Sequence, residues 1–458
     1  MYTIDRALLT ADTDLVAVAV RFLQRHQAAN ARLDRLDAYY RGDHDIKHRV
    51  KRQGLANLQV VCNHAKYITD MAIGYLVGDP VSYEGEGIDG LLAALDAADA
   101  PTQDMDLAKD ASVFGRAVEL VYPSDDAHPV PRLAALDPRQ AFVVYDDTVQ
   151  HRPAFGVHFY RHTLLDGSDD GYHVSIYTDQ QRLDYLATDG FTPRGEIARR
   201  QHPFGYPPLV EYDNNEEQQG DYEQVIDLID VYNILQSDRV NDKEQFVDAI
   251  LVLINSRLGD DASETREALQ RLRMDKLLEL PDDAKAEWLT RQLSEADVEL
   301  LRKSLEEDIH KYAMVPCVSD ESFAGNASGV AMRYKLLGFE QLAKIKERYF
   351  KEGLRQRLRL MANMLAAQGA PAMDIQAVRI AMNRSLPINE LEIAQIVQML
   401  QGAAPQRQLL ALLPFIDNVD DALAELEQEK AANIERQRQT FGLDALPQQV
   451  SDDGGGQE

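Results

Sequence analysis

A helical pattern of apolar residues runs without interruption from about residue 330 to residue 366, and no other segment limits the possible folds as strongly. An α-helix of that length would extend roughly 55 Å, more than the diameter of a small domain. The pattern lacks the heptads of a coiled coil, and we therefore expect the helix to pack against neighbouring subunits. Gly338 and Gly353 are candidate bend points within it. Its apolar face consists of Phe339, Leu342, Ile345, Tyr349, Leu354, Leu358 and Met361.

Basic residues outnumber acidic ones along this helix, although the chain as a whole is strongly acidic. Residues 330–360 contain nine basic and three acidic residues, whereas the 458-residue chain carries a formal net charge of −28. A chain this acidic lacks the broad basic surface that grips nucleic-acid phosphates. The basic helix either faces acidic neighbours across subunit interfaces or reaches DNA phosphates. We favour interfaces, because charge pairing sets the orientation of assembling partners.

Two acidic helical segments precede the long helix and bracket a small module. Residues 221–246 hold seven acidic and two basic residues, and residues 294–313 hold six acidic and three basic ones. The module between them contains the strand-like "AILVLI", a helix near 262–273 and the strand-like "KLLELP" and "AEWLTRQL". The simplest interpretation of the acidic faces is solvation. A sharper one is that they line a channel, because a like-charged wall repels a DNA duplex and prevents it from sticking.

The first half of the chain predicts an α+β unit. Helical patterns cover residues 12–40, the segment after "NLQVV" and residues 88–113, and short β-rich runs between turns fill residues 114–213. These runs indicate a small, mostly antiparallel sheet. After Pro387 two or three helices complete the fold, and "SDDGGGQE" is typical of a disordered tail. The predicted fold class is therefore α+β and predominantly helical.

The stretch "DESFAGNASGV" before the long helix resembles a phosphate-binding loop, but its spacing excludes a nucleotide site. Only three residues separate Gly325 from Gly329, and neither the lysine nor the hydroxyl residue of a Walker loop follows. No strand precedes it. Asn326 and Ser328 are instead predicted to cap the long helix. We expect no cofactor.

No catalytic constellation is evident elsewhere. His44 and His48 stand at the i, i+4 spacing of a helical zinc pair, but no glutamate occupies the HExxH position and no third ligand is obvious, so a surface pair is expected. The sequence has no nucleophile elbow. Cys62 and Cys317 form neither a disulfide framework nor a metal signature. No membrane span or signal peptide is expected. Catalytic and metal sites are therefore predicted to be absent.

Four stretches in order resemble the portal proteins of tailed double-stranded-DNA bacteriophages, in the branch typical of long-tailed siphophages. The first is "YYRGDHDI" followed by "VVCNHAKYITDMAIGYLVGDPVSY", and the second is "SVFGRAVELVY" with "LDPRQAFVVYDD". The third begins at "HPFGYPPLVEYDNNEEQQGDYEQ" and continues to "DAILVL". The fourth is "IHKYAMVPCVSDESFAGNASGVAMRYKLLGFEQLAKIKERYF". The resemblance covers roughly residues 35–430.

This resemblance implies a ring of subunits, usually a homododecamer, at one capsid vertex of the virion. Each subunit would consist of a wing (1–220 and, with the long helix, 331–384), a stem (221–246 and 294–317), a clip (247–293), a tunnel loop (318–330), a crown (385–445) and a disordered tail (446–458). Implied partners are viral DNA, the terminase large subunit, a head-completion or adaptor protein, and the major capsid and scaffolding proteins. Synthesis in the cytoplasm of a bacterial host is implied too. Ala404 and Pro405 depart from the pair expected in the crown.

The residues expected to face DNA lie in the tunnel loop. Asp320 and Glu321 would repel phosphates, Asn326 would make transient polar contacts, and Phe323 would pack between neighbouring loops; Ser328 completes the set. The function implied is a conduit for DNA packaging and ejection that is not an enzyme. Two alternatives stay open. One is a structural capsid or adaptor protein without a channel, and the other is a metal-dependent hydrolase that uses His44 and His48.

Overall fold

The structure is a computed structural model that describes most of the chain. The described residues are 1–10, 13–51, 56–245, 250–254, 261–275, 284–289, 295–317, 334–384 and 390–410, with seven single positions between 413 and 432. The chain divides into two units. The first comprises Met1–Gly325 and Lys335–Arg384, and the second comprises Asn326–Tyr334 and Ser385–Glu458.

Helices make up the larger share of the described secondary structure, as the sequence predicts. Within the described ranges the α-helices are α1 (Leu15–Tyr40), α2 (His64–Val77), α3 (Asp89–Ala97), α4 (Ala100–Phe114), α5 (Ile226–Gln245), α6 (Ala262–Asp275), α7 (Glu295–Ala313), α8 (Leu337–Ala367), α9 (Glu390–Leu400) and α10 (Gln406–Leu410). No described helix is both long enough and apolar enough to cross a membrane.

The single helix expected over residues 88–113 is wrong, because two helices occupy this stretch. α3 ends at Ala97, and Asp99 takes a left-handed conformation with φ of 51° before α4 begins. Pro101 lies in the first turn of α4, where its missing N–H costs nothing. In the interior of one continuous helix, the same proline would have removed a backbone hydrogen bond and broken the helix. The chain therefore turns at Asp99.

The β-rich region forms two sheets instead of the one small sheet expected. The strands are β1 (Tyr2–Ile4), β2 (Ser82–Glu84), β3 (Arg116–Pro123), β4 (Pro131–Leu136), β5 (Ala141–Asp146), β6 (Pro153–Thr163), β7 (Asp169–Tyr177), β8 (Gln181–Ala187), β9 (Pro193–Gln201), β10 (Leu209–Asp213), β11 (Ile250–Ile254), β12 (Lys285–Leu289) and β13 (Arg379–Ala381). The larger sheet has the order β1-β5-β6-β7-β8-β9, and the smaller has the order β10-β3-β4. Among the described strands, pairing is antiparallel except between β1 and β5, so the mostly antiparallel pairing that the sequence predicts is confirmed.

The six-stranded sheet is covered on one face by α1. Apolar side chains of β5, β6 and β7, such as Phe142, Phe155 and Val174, pack there with Leu23 of α1. On the other face the two sheets meet, and Gly156 of β6 lies directly against Leu209 of β10. Alternating inward residues on both faces of the central strands explain why two separate cores form.

The three-stranded sheet packs against α4 and the long helix α8. Tyr212 of β10 and Leu354 and Leu358 of α8 are fully buried in this core. Gly353 of α8 lies so close to the Tyr212 ring that a Cβ at this position would overlap it. This glycine therefore permits a close approach of the helix to the sheet.

The long helix α8 has 31 residues, about 46 Å, and runs from Leu337 to Ala367. A turn at Leu336 separates it from Tyr334 and Lys335, which are also helical, and the residues from 318 to 333 lie outside the described part of the chain. The N-cap residue of α8 is Leu336, which makes no side-chain capping bond. Asn326 and Ser328, the predicted caps of the helix, lie outside the described residues. The buried face of α8 includes Phe339, Leu354, Leu358 and Met361 of the predicted stripe, whereas Ile345 is 49% exposed.

Between α5 and α7 lies the predicted small module. β11 and β12 pair antiparallel, with Leu251 opposite Trp288, and α6 covers the predicted helix near residues 262–273. The strand expected at "KLLELP" falls outside the described residues. In the second unit, α9 and α10 agree with the helices expected after Pro387.

Candidate functional site

The five residues singled out in the predicted tunnel loop, Asp320, Glu321, Phe323, Asn326 and Ser328, lie outside the described residues. What the structure describes is the frame in the first unit on both sides of them. α7 and residues up to Cys317 precede the segment, and α8 follows it. The candidate site is therefore built from the helices that flank the loop.

Both flanks of residues 318–333 are held by α2. The hydroxyl of Tyr67 donates to the carbonyl oxygen of Pro316 at 3.0 Å. Eight residues further along α2, about 12 Å, the hydroxyl of Tyr75 donates to the carboxylate of Glu340. The Tyr75 ring also packs on Phe339, with 4.5 Å between ring centroids. One helix thus fixes the positions at which the chain enters and leaves this segment.

α5 and α7 pack as an antiparallel pair. Near the end of α5, the Nε of Arg239 donates to Glu295 at 2.9 Å. Nearer the start of α5, the hydroxyl of Tyr232 accepts a hydrogen bond from Arg302 of α7 at 3.3 Å. A residue late in α5, Arg239, thus contacts the start of α7, and an earlier residue of α5, Tyr232, contacts a later residue of α7. The two helices therefore run in opposite directions.

Basic residues of this pair are paired with its own acidic residues. Arg239 bridges to Glu295 and Glu299, and its hydrogen bond holds the pKa of Glu295 below its usual value. Arg302 contacts Glu299 at 2.8 Å and Glu306 at 2.6 Å. Exposed positions on the two helices carry four acidic residues and three lysines: Asp227, Glu295, Asp297, Glu307, Lys243, Lys303 and Lys311. The fully exposed charge is therefore nearly balanced, and much of the acidic excess lies at half-buried positions such as Asp230, Asp242 and Asp308.

α5 also buries three polar side chains that the sequence pattern did not single out. Asn233, Ser237 and Asn241 are at most 2% exposed and contact alternate residues of the extended segment 58–62, an arrangement that we call the polar ladder. Asn241 bonds both the N–H and the carbonyl of Leu58, at 2.7 and 3.0 Å. Ser237 accepts from the N–H of Val60 at 2.9 Å, and Asn233 accepts from that of Cys62 at 2.8 Å.

The ladder fits because two periodicities nearly coincide. Four residues of α-helix advance about 6 Å, and two residues of extended chain advance about 6.6 Å. Side chains at i, i+4 and i+8 can therefore satisfy every second backbone group of a strand-like segment. The spacing N-x3-S-x3-N was the signal in the sequence, but such residues are usually exposed on a helix.

His44 belongs to this ladder and not to a metal site. It is fully buried, its Nδ1 accepts from the amide of Asn233 at 2.8 Å, and its Nε2 donates to the carbonyl of Tyr39 at 2.9 Å. Burial lowers its pKa. His48 is exposed, 3.6 Å from Asp43. The surface pair expected of the two histidines is therefore wrong for His44.

The i, i+4 spacing of the histidines does not place them together, because Asp45–His48 form a 3₁₀ turn and not an α-helix. Within the described ranges, no group of three or more His, Cys, Asp or Glu residues could hold a metal ion. The geometry therefore does not favour the metal-dependent hydrolase.

A charge cluster lies at the contact between α8, α4 and the three-stranded sheet. The guanidinium of Arg357, which is fully buried, donates to Asp104 of α4 at 2.6 Å and to Glu119 of β3 at 2.8 Å. Tyr212 donates to the same Glu119 oxygen at 2.7 Å. Burial raises the pKa of both Asp104 and Glu119 although Arg357 opposes the shift. Two carboxyl groups thus share one guanidinium in the core.

A second buried pair ties α8 to Asp221, five residues before α5 begins. Lys346 donates to Asp221, which also accepts from Ser112 at 2.5 Å and from Asn214 at 2.8 Å. Lys346 and Arg357 are therefore paired within the chain. Neither of the two interpretations of the basic helix, contact with acidic neighbouring subunits or contact with DNA phosphates, included pairing within the chain.

Comparison with known proteins gives the family. The family model described as "Phage portal protein, SPP1 Gp6-like" matches residues 21–436. The chain belongs to this family of phage portal proteins. The predicted resemblance and the α+β portal fold are both confirmed.

Relatives with known names agree with this membership. The portal protein of Bacillus phage SPP1 is 24% identical over 389 residues, which cover 81% of this chain and 76% of that protein. The portal protein of Clostridium phage phiCD119 is 26% identical over 225 residues, or 48% of each protein. Among solved structures, chains from the necks of empty and native GTA particles, computed with C6 and C12 symmetry, are 12% identical with a TM-score of 0.45. They cover 76% of this portal-family chain, which spans 90% and 89% of their lengths.

Proposed function

We propose that this chain assembles into a ring at one capsid vertex and acts as the conduit through which viral DNA is packaged and ejected. The observation that carries the proposal is the family match over residues 21–436. The acidic helix pair α5–α7 supports it, because a negative wall repels the phosphates of a passing duplex. A channel-free capsid or adaptor protein is less favoured by this family match.

Exposed apolar residues on the helix pair support assembly. On α5, Val231 and Ile234 are 48% and 40% exposed, and on α7, Leu300 and Leu301 are 70% and 49% exposed. A closed ring needs two different surfaces on each subunit, because each copy contacts its neighbours head to tail. We infer that these faces of α5 and α7 contact adjacent copies.

We propose the regions of the subunit by resemblance to other members of the family. The stem comprises 221–246 and 294–317, the clip 247–293 and the crown 385–445. The wing comprises 1–220 with 331–384. The tunnel loop, 318–330, carries Asp320, Glu321, Phe323, Asn326 and Ser328 at the channel.

The mechanism proposed is geometric and electrostatic and requires no covalent step. A motor outside this chain, the terminase, would dock on the clip and move the DNA, and a head-completion protein would replace it afterwards. Major capsid and scaffolding proteins would surround the ring in the virion. We propose synthesis in the cytoplasm of the bacterial host.

Electron microscopy of the purified full-length chain, with and without its scaffolding protein, tests assembly. We expect rings with a central hole wide enough for a duplex. Val231→Asp and Leu301→Asp should each lower the fraction of protein in rings by at least about tenfold, because a charge would be buried at the interface. Leu165→Asp, at a fully exposed site between β6 and β7, is the matched control. Monomers under every condition would overturn the proposal.

A further inference from the structure

Glu340, in the first turn of α8, is contacted from three directions. The hydroxyl of Tyr75 reaches it from α2, the guanidinium of Arg384 reaches it from beyond β13, and Lys344 lies one turn along α8 at 3.4 Å. Arg384 also contacts Glu347, so that one guanidinium bridges two turns of α8. We call Tyr75, Glu340, Glu347 and Arg384 the Glu340 latch.

The latch is largely shielded from water. The side chain of Arg384 is 13% exposed, and those of Glu340 and Glu347 are 23% and 20% exposed. The guanidinium also stands over the Tyr75 ring, 5.8 Å from its centroid. Without Arg384, the described cations that still contact Glu340 and Glu347 are the lysines one turn along α8, Lys344 and Lys351. The link from α8 to residue 384 is then lost, and losing a shielded ion pair costs more than breaking an exposed one.

A nearby pair shows the contrast. Arg379 lies five residues before Arg384 and contacts Glu84 at 3.5 Å, with both side chains more than half exposed. Surface pairs of this kind contribute little to stability. The arginine that holds the chain near α8 is therefore Arg384.

The positions of the latch residues along the chain give it a further role. Glu340 lies seven residues after the end of the segment 318–333, which α2 borders on both sides. Arg384 is the last residue of the first unit before the chain continues into Ser385–Glu458. The latch thus joins the point where the chain leaves the proposed tunnel loop to the point where it departs for the second unit.

We propose that Glu340 and Arg384 are positioning residues that fix these two points together, so that DNA packaging depends on the latch whereas ring assembly does not. This inference rests on the proposed portal function. Arg384 acts through Glu340 and contacts no DNA. Loosening the latch frees the start of α8 and with it the position from which the loop reaches the channel.

The test compares full-length rings of the wild type, Arg384→Gln and the matched control Arg379→Gln. Hydrogen exchange at residues 337–345 should rise about tenfold in Arg384→Gln, because charge-assisted bonds to Glu340 and Glu347 are lost. Packaging of DNA by the terminase into capsids that carry these rings should fall about tenfold or more. Arg379→Gln should leave both quantities within about twofold of the wild type.

Outcomes separate this inference from the proposed function. Wild-type protein that forms no rings, or rings that support no packaging, would defeat the portal function itself. If wild-type rings package and Arg384→Gln rings package equally well, the latch has no positioning role. If Arg384→Gln forms no rings, Tyr75→Phe decides, because it removes one bond to Glu340 and leaves every charge in place. Unchanged exchange at 337–345 and unchanged packaging in Tyr75→Phe would then overturn the inference.

Discussion

α5 and α8 both bury polar side chains, but they do so with opposite chemistry. α5 places neutral Asn233, Ser237 and Asn241 against the backbone of an extended segment. α8 places the permanently charged Arg357 against two carboxyl groups from other elements. The neutral groups need only matched geometry, whereas the charged group also needs its counter-charges. The polar ladder should therefore tolerate changes of charge nearby better than the charge cluster does.

The largest effect is expected from Arg357→Gln. It leaves Asp104 and Glu119 buried without a cation, and the free energy of unfolding should fall by about 3–5 kcal/mol. Urea unfolding of the full-length chain at one fixed protein concentration measures it, because assembly also contributes to apparent stability.

Arg355→Gln is the matched control for this prediction. Arg355 is exposed on the same helix two residues earlier, and its loss should change the free energy of unfolding by less than about 0.5 kcal/mol. Equal effects of the two substitutions would show that the charge cluster contributes nothing particular.

Asn241→Ala should have an intermediate effect. It leaves the N–H and the carbonyl of Leu58 without their hydrogen-bond partner, and the free energy of unfolding should fall by about 1–3 kcal/mol. The same urea titration measures the change, with Asp227→Ala at an exposed site of α5 as its control. A loss as large as that of Arg357→Gln would contradict the distinction between neutral and charged burial.

The smallest effects concern pH, and the two regions should respond with opposite sign. Burial raises the pKa of Asp104 although Arg357 opposes the shift, so the pH-dependent contribution of this carboxyl to stability is fully present below the usual carboxylate range and decreases as pH rises. Burial lowers the pKa of His44 from 6.5, so its contribution is complete above that value and is lost as pH falls. Asp104→Asn should flatten the alkaline slope of stability, and His44→Gln should flatten the acidic one.

Thermal unfolding at about pH 5, about pH 6.5 and about pH 8 checks both slopes. His48→Gln is the control for His44→Gln, because His48 is 71% exposed at its side chain and its loss should leave the acidic slope unchanged. Parallel curves for the wild type and both variants would show that neither buried group is coupled to folding.

Much of the fold followed from the sequence because its signals are local. Continuous apolar periodicity predicts α8, and the paired periodic segments around a strand-rich module predict α5 and α7. The four ordered stretches led to the family, which the match over residues 21–436 confirms. The expected tunnel-loop residues stay a prediction.

What sequence reasoning missed depends on long-range contacts. Asn233, Ser237 and Asn241 have no apolar character, so nothing local shows that a segment more than 170 residues earlier covers them. In the sequence, Arg357 is one of nine basic residues between 330 and 360, and nothing local shows that Asp104 and Glu119 pack against it from other elements. The turn at Asp99 is set by a single left-handed residue inside an otherwise helical pattern.

The close contact of Gly353 with Tyr212 limits how the molecule can deform. Sliding α8 along the sheet by one turn, about 5.4 Å, would bring a side chain such as that of Phe350 or Arg357 to the place where only a glycine fits. Shear at this contact is therefore blocked. Any force that reaches α8 must carry β10, β3 and β4 with it as one rigid block.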